Sequence, residues 1–354
     1  EEIALFRDVN PFGFILFARN IDTPDQVRAL CDDFRAAVGR NAPITIDQEG
    51  GRVQRLRRPH WRDWMPPLDF VHLAKDNAQE AMYLRYRLIA QELHALGIDS
   101  NCAPMVDVAA DCTHAFLRNR CYGTDPDSVA SLGRAVAQGL LDGGVLPVLK
   151  HIPGHGRATQ DSHFDLPHVD DDLHDLKARD FAPFKALNDL PMGMTAHLVY
   201  GAVDDAPATI SPRMMSLIRE DIGVDGLVMT DALDMDAVSF LFSHGEAAVI
   251  AIQAGADLIP VGPRIGERNL TEMIQYVIAT VRSAAQLYLA LSYETIADRA
   301  RVSSLLGEPF ELDLTWIAPM DQGGIAALCG EVWSLSLIHI SEPTRLKTRS
   351  RMPS

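Results

Sequence analysis

Short apolar runs, each closed by polar or Gly-rich residues, alternate along the chain with longer amphipathic stretches. The apolar runs predict strands over 12–20 (FGFILFARN), 42–51 (APITIDQEGG), 98–108 (IDSNCAPMVDV), 144–156 (GVLPVLKHIPGHG), 191–200 (PMGMTAHLVY), 225–235 (DGLVMTDALDM) and 256–262 (ADLIPVG). The stretches between them predict helices. TPDQVRALCDDFRAAVG opens on a capping Thr23, takes a proline in its first turn and stops at Gly39. NAQEAMYLRYRLIAQELHALG, DPDSVASLGRAVAQGLLDGG and HGEAAVIAIQAGA follow the same plan, and EEIALFRDV leads as a helix into the first strand.

Strand and helix alternating throughout imply an α/β protein with a parallel sheet. An open doubly wound sheet would carry a Gly-rich phosphate turn after its first strand, and the sequence has none there. Seven strands fall one short of a closed barrel. The expected fold is therefore a (β/α)8 TIM-type barrel lacking its first strand through N-terminal truncation. Residues 1–333 form that single domain. Residues 334–354 turn basic, with Arg345, Lys347, Arg349 and Arg351 against Glu342, and show no helical or strand period. They are expected to stand outside the fold as a non-native tail, the alternative being a basic tail for an anionic partner.

Polar residues gather where the predicted strands end: Arg19 and Asn20, Asp47 to Glu49, Asp107, Lys150 and His151, His197, and Asp231. The C-terminal ends of barrel strands are where such enzymes keep their active sites.

Composition narrows the function. The chain has 354 residues and a formal charge of −16, which repels nucleic acid and anionic membrane surfaces, so neither is expected as a partner. No apolar run approaches the length that spans a bilayer. The five cysteines form no C-x-x-C pair, which argues against a disulfide framework or zinc ribbon and points to a reducing, cytoplasmic compartment. No cofactor and no obligatory protein partner are expected.

Three stretches carry candidate chemistry. In KHIPGHGRATQDSH (150–163), His151 and His155 have the spacing of a zinc-protease pair, but Pro153, Gly154 and Gly156 break the helix such a pair needs. A loop-built metal site using His151, His155, His163, Asp161 and Asp231 stays open, as does a solvated polar loop. In MTDALDM (229–235), Asp231 could be a nucleophile, a metal ligand or a helix cap. In IDQEGGRVQR (46–55), Asp47 could accept two vicinal sugar hydroxyls or simply pair with an arginine to hold the loop.

DQEGGRVQR, NRCYGTDP (119–126), KHIPGHGRATQDSH and MTDALDM stand in the order and at the approximate separations found in glycoside hydrolase family 3. Over about residues 1–333 the chain resembles that family, and in particular its bacterial β-N-acetylglucosaminidases of cell-wall recycling. The resemblance implies Asp231 as catalytic nucleophile, His163 as general acid/base and Asp161 as its partner. It implies Asp47, Arg55, Arg120, Lys150 and His151 as sugar contacts. The implied substrate is a GlcNAc-containing muropeptide or oligosaccharide. Ile152 and Ala232 depart from residues common in the family, and Ala232 removes a second aspartate beside Asp231. An imidazole titrates near pH ~6.5, so it can give and then take a proton in a retaining double displacement. A neutral imidazole also repels phosphate less than a carboxylate does, so phosphorolysis is expected to compete with hydrolysis. The alternatives are a metal-dependent hydrolase on the same barrel and a non-catalytic sugar-binding barrel. The presence of both Asp231 and the Asp161–His163 pair argues against the second.

Overall fold

The computed structural model describes residues 2–160, 165–233, 235–239 and 241–261. In chain order its elements are α1 (Glu2–Val9), β1 (Phe14–Leu16), α2 (Pro24–Val38), β2 (Ile44–Ile46), β3 (Gln48–Gly50), β4 (Val53–Gln54), α3 (Pro67–Ala74), α4 (Ala78–His94), β5 (Ser100–Asn101), α5 (Ala115–Arg118) and α6 (Pro126–Asp142). There follow β6 (Leu146–Ile152), β7 (His168–Val169), α7 (Leu173–Arg179), α8 (Ala182–Ala186), β8 (Met192–Thr195), β9 (Val199–Tyr200), α9 (Pro212–Ser216), β10 (Leu227–Met229), α10 (Asp236–Ser239) and α11 (His244–Ala254).

The helices end where the sequence signals say. Thr23 caps α2 by accepting from the Gln26 amide, and Gly39 closes it in the left-handed region at φ 66°. Asp125 caps α6 in the same way. Ser243 and Glu246 form a reciprocal capping box on α11. Each device satisfies backbone donors that a helix start leaves unpaired.

Six strands form one curled, all-parallel sheet in the order β1-β2-β5-β6-β8-β10, so every strand lies beside its successor. The seventh expected run adds itself at the edge through a parallel bridge between Met229 and Leu258. Expectation and structure agree on the α/β class and on the parallel order. They differ in detail. The 42–51 run is not one strand: β2 stops at Ile46 and β3 turns back against β4 as an antiparallel hairpin. The 98–108 run is reduced to β5 and one bridge at Met105, because Pro104 removes a ladder donor. The small parallel pair β7–β9 was not expected. Residues 262–354, including the tail 334–354, lie outside the described residues.

The two faces of the sheet are chemically distinct. Leu149 and Val228 point to the large core shared with helix residues such as Val27, Tyr86, Val136 and Ala248. Their neighbours Val148 and Met229 point the other way, to a small inner cluster with Cys102 and Met194. Alternation at period two therefore sends Lys150, two residues beyond Val148, to the inner face at the C-terminal end of β6.

Candidate active site

The site is built on the segments that follow β2, β5, β6 and β10. After β2 the chain delivers Asp47 and turns through the β3–β4 hairpin. Gly50 permits that turn: its φ is 113°, and an added Cβ would sit 2.0 Å from the Arg85 guanidinium. Arg85, itself buried, donates to the Glu49 and Met65 carbonyls at 2.7 Å each and so pins the hairpin to α4.

Five charged side chains interlock there. Asp47 accepts from Arg55 at 2.9 Å and from Lys150 at 3.0 Å. Glu49, 1% exposed, accepts from both arms of the Arg120 guanidinium at 2.9 and 2.8 Å and lies 2.6 Å from the Lys150 ammonium. Three cations thus face two carboxylates in a nearly dry site. Burial alone raises the carboxyl pKa of both acids, but the facing cations more than reverse it. Arg120 and Lys150 hold Glu49 at about 2, and Lys150 and Arg55 hold Asp47 lower still. For Lys150 burial opposes the charge, and the two carboxylates more than compensate, so it stays protonated.

A second pair sits beside it. The His151 Nδ1 meets the Asp107 carboxylate at 2.7 Å, with Asp107 fully buried. A carboxylate only accepts, so Nδ1 carries the proton and Nε2 is left for a ligand. Asp107 also accepts from the His155 amide at 2.6 Å. Burial, then the neighbouring His151 charge, lower the His155 ring to about 4. The KHIPGHG segment is tightly held. The Tyr200 hydroxyl donates to the Gly154 carbonyl, the Thr113 hydroxyl to that of Gly156, and Arg157 pairs with Asp171 and, at 2.7 Å, with the buried Asp180.

Asp231 follows β10 by two residues. Its Oδ1 accepts from the Ala232 amide at 2.8 Å. His197, from the end of β8, donates through Nε2 to the Ala232 carbonyl at 3.0 Å and meets Thr209 through Nδ1. The Cys102 thiol is buried in the inner cluster. Burial pushes it up to about 12, Asp47 and Asp231 add to the rise, and Lys150 opposes it. Met229 faces the inner cluster, and Asp231 follows it by two residues at the same end of the sheet. His163 and Asp161 lie outside the described residues.

The structure thus brings Asp47, Arg55, Arg120, Lys150 and His151 together after β2, β5 and β6, and sets Asp231 after β10 at the same end of the sheet. Asp47 meets its arginine, as the loop-holding alternative has it, while each oxygen keeps a further lone pair for a ligand. A polyhydroxylated ring brought over this site finds a carboxylate, an ammonium, guanidinia and an imidazole nitrogen, a set that matches hydroxyls and an amide. Sequence reasoning did not single out Glu49 as a site residue, nor the roles of Asp107 and His197. All three were visible among the polar strand ends. That Glu49 folds under the lysine depends on a hairpin the sequence did not reveal.

Among the described residues, no three His, Cys, Asp or Glu side chains are grouped so as to hold a metal ion. Asp107 is held by the His151 ring and by the His155 backbone amide.

The profile described as Glycosyl hydrolase family 3 N terminal domain matches residues 4–300. A beta-hexosaminidase of Chromobacterium violaceum is 35% identical over 296 residues, covering 82% of this chain and 80% of that protein. The solved glycoside hydrolase family 3 beta-N-acetylglucosaminidase from Paenibacillus sp. str. FPU-7 superposes with a TM-score of 0.74 at 34% identity. That match covers 80% of this chain and 55% of the other, so this chain spans about half the length of that protein. NagZ from Neisseria gonorrhoeae, solved in complex with N-trifluoroacetyl-D-glucosamine, superposes with a TM-score of 0.69 at 30% identity, over 78% of this chain and 85% of that one.

Proposed function

Because this chain belongs to glycosyl hydrolase family 3, matching its N-terminal domain, we propose that it is a retaining exo-β-N-acetylglucosaminidase. It removes terminal GlcNAc from β-linked glycans such as peptidoglycan fragments, in the cytoplasm. What supports this reading is the buried Asp47–Lys150–Glu49–Arg120 cluster at the C-terminal end of the parallel sheet whose strand β10 leads into Asp231. The sheet with its Leu258 bridge is read as successive strands of a (β/α)8 barrel.

In this mechanism the Asp231 carboxylate attacks the anomeric carbon as the bond to the leaving oxygen breaks. The His163 imidazolium, oriented by Asp161, gives that oxygen its proton. The product is a covalent glycosyl ester on Asp231. His163, now neutral, takes a proton from water, the resulting hydroxide attacks the anomeric carbon, and Asp231 leaves as carboxylate. Asp47, Arg55, Arg120, Lys150 and His151 grip hydroxyls and the N-acetyl group, and that binding holds the ring within reach of Asp231. Phosphate can stand in for water in the second step, releasing sugar 1-phosphate.

The metal-dependent alternative is not favoured, since the family match and the similar proteins point to a glycosidase. Incubation with a slow fluorinated N-acetylglucosaminide, followed by peptide mass spectrometry, tests the assignment. The label is expected on Asp231. Label on any other residue overturns it.

A further inference from the structure

The two ends of the connection from β6 to α7 are joined by an ion cluster that the reaction does not use. Arg157, next to Gly156 at the close of KHIPGHG, reaches two carboxylates at once. Its guanidinium pairs with Asp171, 14 positions on, and its Nε donates to Asp180 at 2.7 Å. The Asp171 side chain is 39% exposed, whereas that of Asp180 is 1% exposed. Arg179 takes the other Asp180 oxygen at 3.1 Å and donates to the Ala109 carbonyl at 2.7 Å, two residues past Asp107. Both flanks are held through the backbone as well. On the outgoing side the Ala158 amide donates to the His155 carbonyl at 3.1 Å, and the His114 amide to the Ala158 carbonyl at 3.1 Å. On the returning side β7 pairs with β9, the Val199 amide donating to the Pro167 carbonyl at 3.0 Å and the Gly201 amide to the Val169 carbonyl at 3.1 Å.

Resting on the glycosidase reading, in which His163 is the acid/base, we infer that Arg157 is a positioning residue for proton transfer. By tying Asp171 and Asp180 it sets where the connection 158–170 delivers the imidazole. Order along the chain is the first argument. Asp161 and His163 lie between Arg157 and Asp171, so the cluster closes the base of the stretch that carries them. Freedom is the second. A connection whose ends are held together samples fewer arrangements than one whose ends swing, and proton transfer works only over hydrogen-bond reach. A misplacement of about 1 Å costs about 10²-fold. Redundancy is the third. Arg179 already holds the buried Asp180, so that charge keeps a partner whether or not Arg157 is present. What Arg157 adds is the link to Asp171 on the returning side. A planar guanidinium suits that task, since it offers Nε to Asp180 and an Nη to Asp171 in one rigid fork.

The test separates proton transfer from every other contribution. Two N-acetyl-β-glucosaminides are compared. The dinitrophenyl glycoside loses its leaving group as an anion with no proton, whereas the leaving oxygen of the phenyl glycoside needs one. In Asp171→Asn and Arg157→Gln, kcat/KM on the phenyl glycoside is expected to fall about 10–10²-fold, and on the dinitrophenyl glycoside less than about three-fold. On the dinitrophenyl glycoside kcat falls, because the glycosyl ester waits for water to be deprotonated. Azide attacks the anomeric carbon with no proton to lose, so it is expected to restore kcat and to yield the glycosyl azide as the aspartate leaves. His163→Gln sets the full scale of this signature. Lost stability alone would slow both glycosides equally. Asp171→Asn is decisive, since Asp171 is part-exposed and the variant keeps Asp180 paired with both arginines. A phenyl-to-dinitrophenyl ratio equal to the parent's in Asp171→Asn, or in a folded Arg157→Gln, overturns the inference and leaves the glycosidase reading intact. Absence of the signature in His163→Gln removes that residue as the acid/base and the inference with it. Failure of the parent chain to cleave either glycoside overturns the glycosidase reading itself.

Discussion

Glu49 decides how the sugar-binding cations are arranged. It is fully enclosed, bonds both arms of Arg120 and touches Lys150, so it fixes where two positive groups stand before any ligand arrives. Glu49→Gln keeps the shape and removes the charge. It leaves three cations against the single carboxylate of Asp47, and Arg120 without a carboxylate partner. Breaking a buried ionic network in this way costs about 3–5 kcal/mol, and a displaced Lys150 costs about 10²-fold in kcat/KM. Urea unfolding and steady-state kinetics would show both losses, and a variant of parental stability and activity would remove Glu49 from the site. At this scale the sequence was partly legible. Asp47, Lys150 and His151 announce themselves as polar residues closing apolar runs, whereas the burial of Glu49 follows from long-range contacts with Arg120 and Lys150. No local pattern encodes a contact between residues 71 positions apart.

The elements were legible where their signals are local. Capping residues and closing glycines marked α2, α6 and α11, because caps satisfy backbone groups within one turn. The β3–β4 hairpin was not marked. Its two short strands lack an alternating pattern and stand because Arg85 anchors them from α4. Packing between the KHIPGHG segment and the chain after β5 is a further element-scale fact with a consequence. A Cβ at Gly156 would lie 1.9 Å from the Val108 carbonyl oxygen, one residue from Asp107. Gly156→Ala forces these two backbones apart and with them the Asp107–His151 pair. Overpacking of this kind costs about 1–3 kcal/mol. Gly123→Ala is the control, since its Cβ would make an ordinary 3.7 Å contact with Val129. Thermal unfolding and turnover of an aryl glycoside are expected to fall for Gly156→Ala and to hold for Gly123→Ala. Equal behaviour of the two variants refutes the role given to that close approach.

For the whole molecule, alternation of strand and helix gave the α/β class and the parallel order, since both follow from period and connection length. The same site that orders the sheet ends also sets how global stability depends on pH. The folded chain holds His155 neutral down to about pH 4, while the unfolded chain protonates it near 6.5. Below about 6.5 the unfolded state therefore binds more protons, and acid favours unfolding. Glu49 acts lower. Its folded pKa is about 2 and its unfolded value about 4.3, so its stabilisation is complete above the unfolded value and disappears as pH falls through the folded one. Asp47 and Asp107, both lowered by their partners, add to that second step with the same sign. Urea denaturation is expected to show a first loss of stability between about pH 6.5 and 4 and a steeper one below. His155→Gln should flatten the first and spare the second, because Gln keeps the backbone donor to Asp107 and takes up no proton. A stability that is level from pH 7 to 4 in the parent chain, or a first loss that persists in His155→Gln, would mean that the buried imidazole does not govern that window.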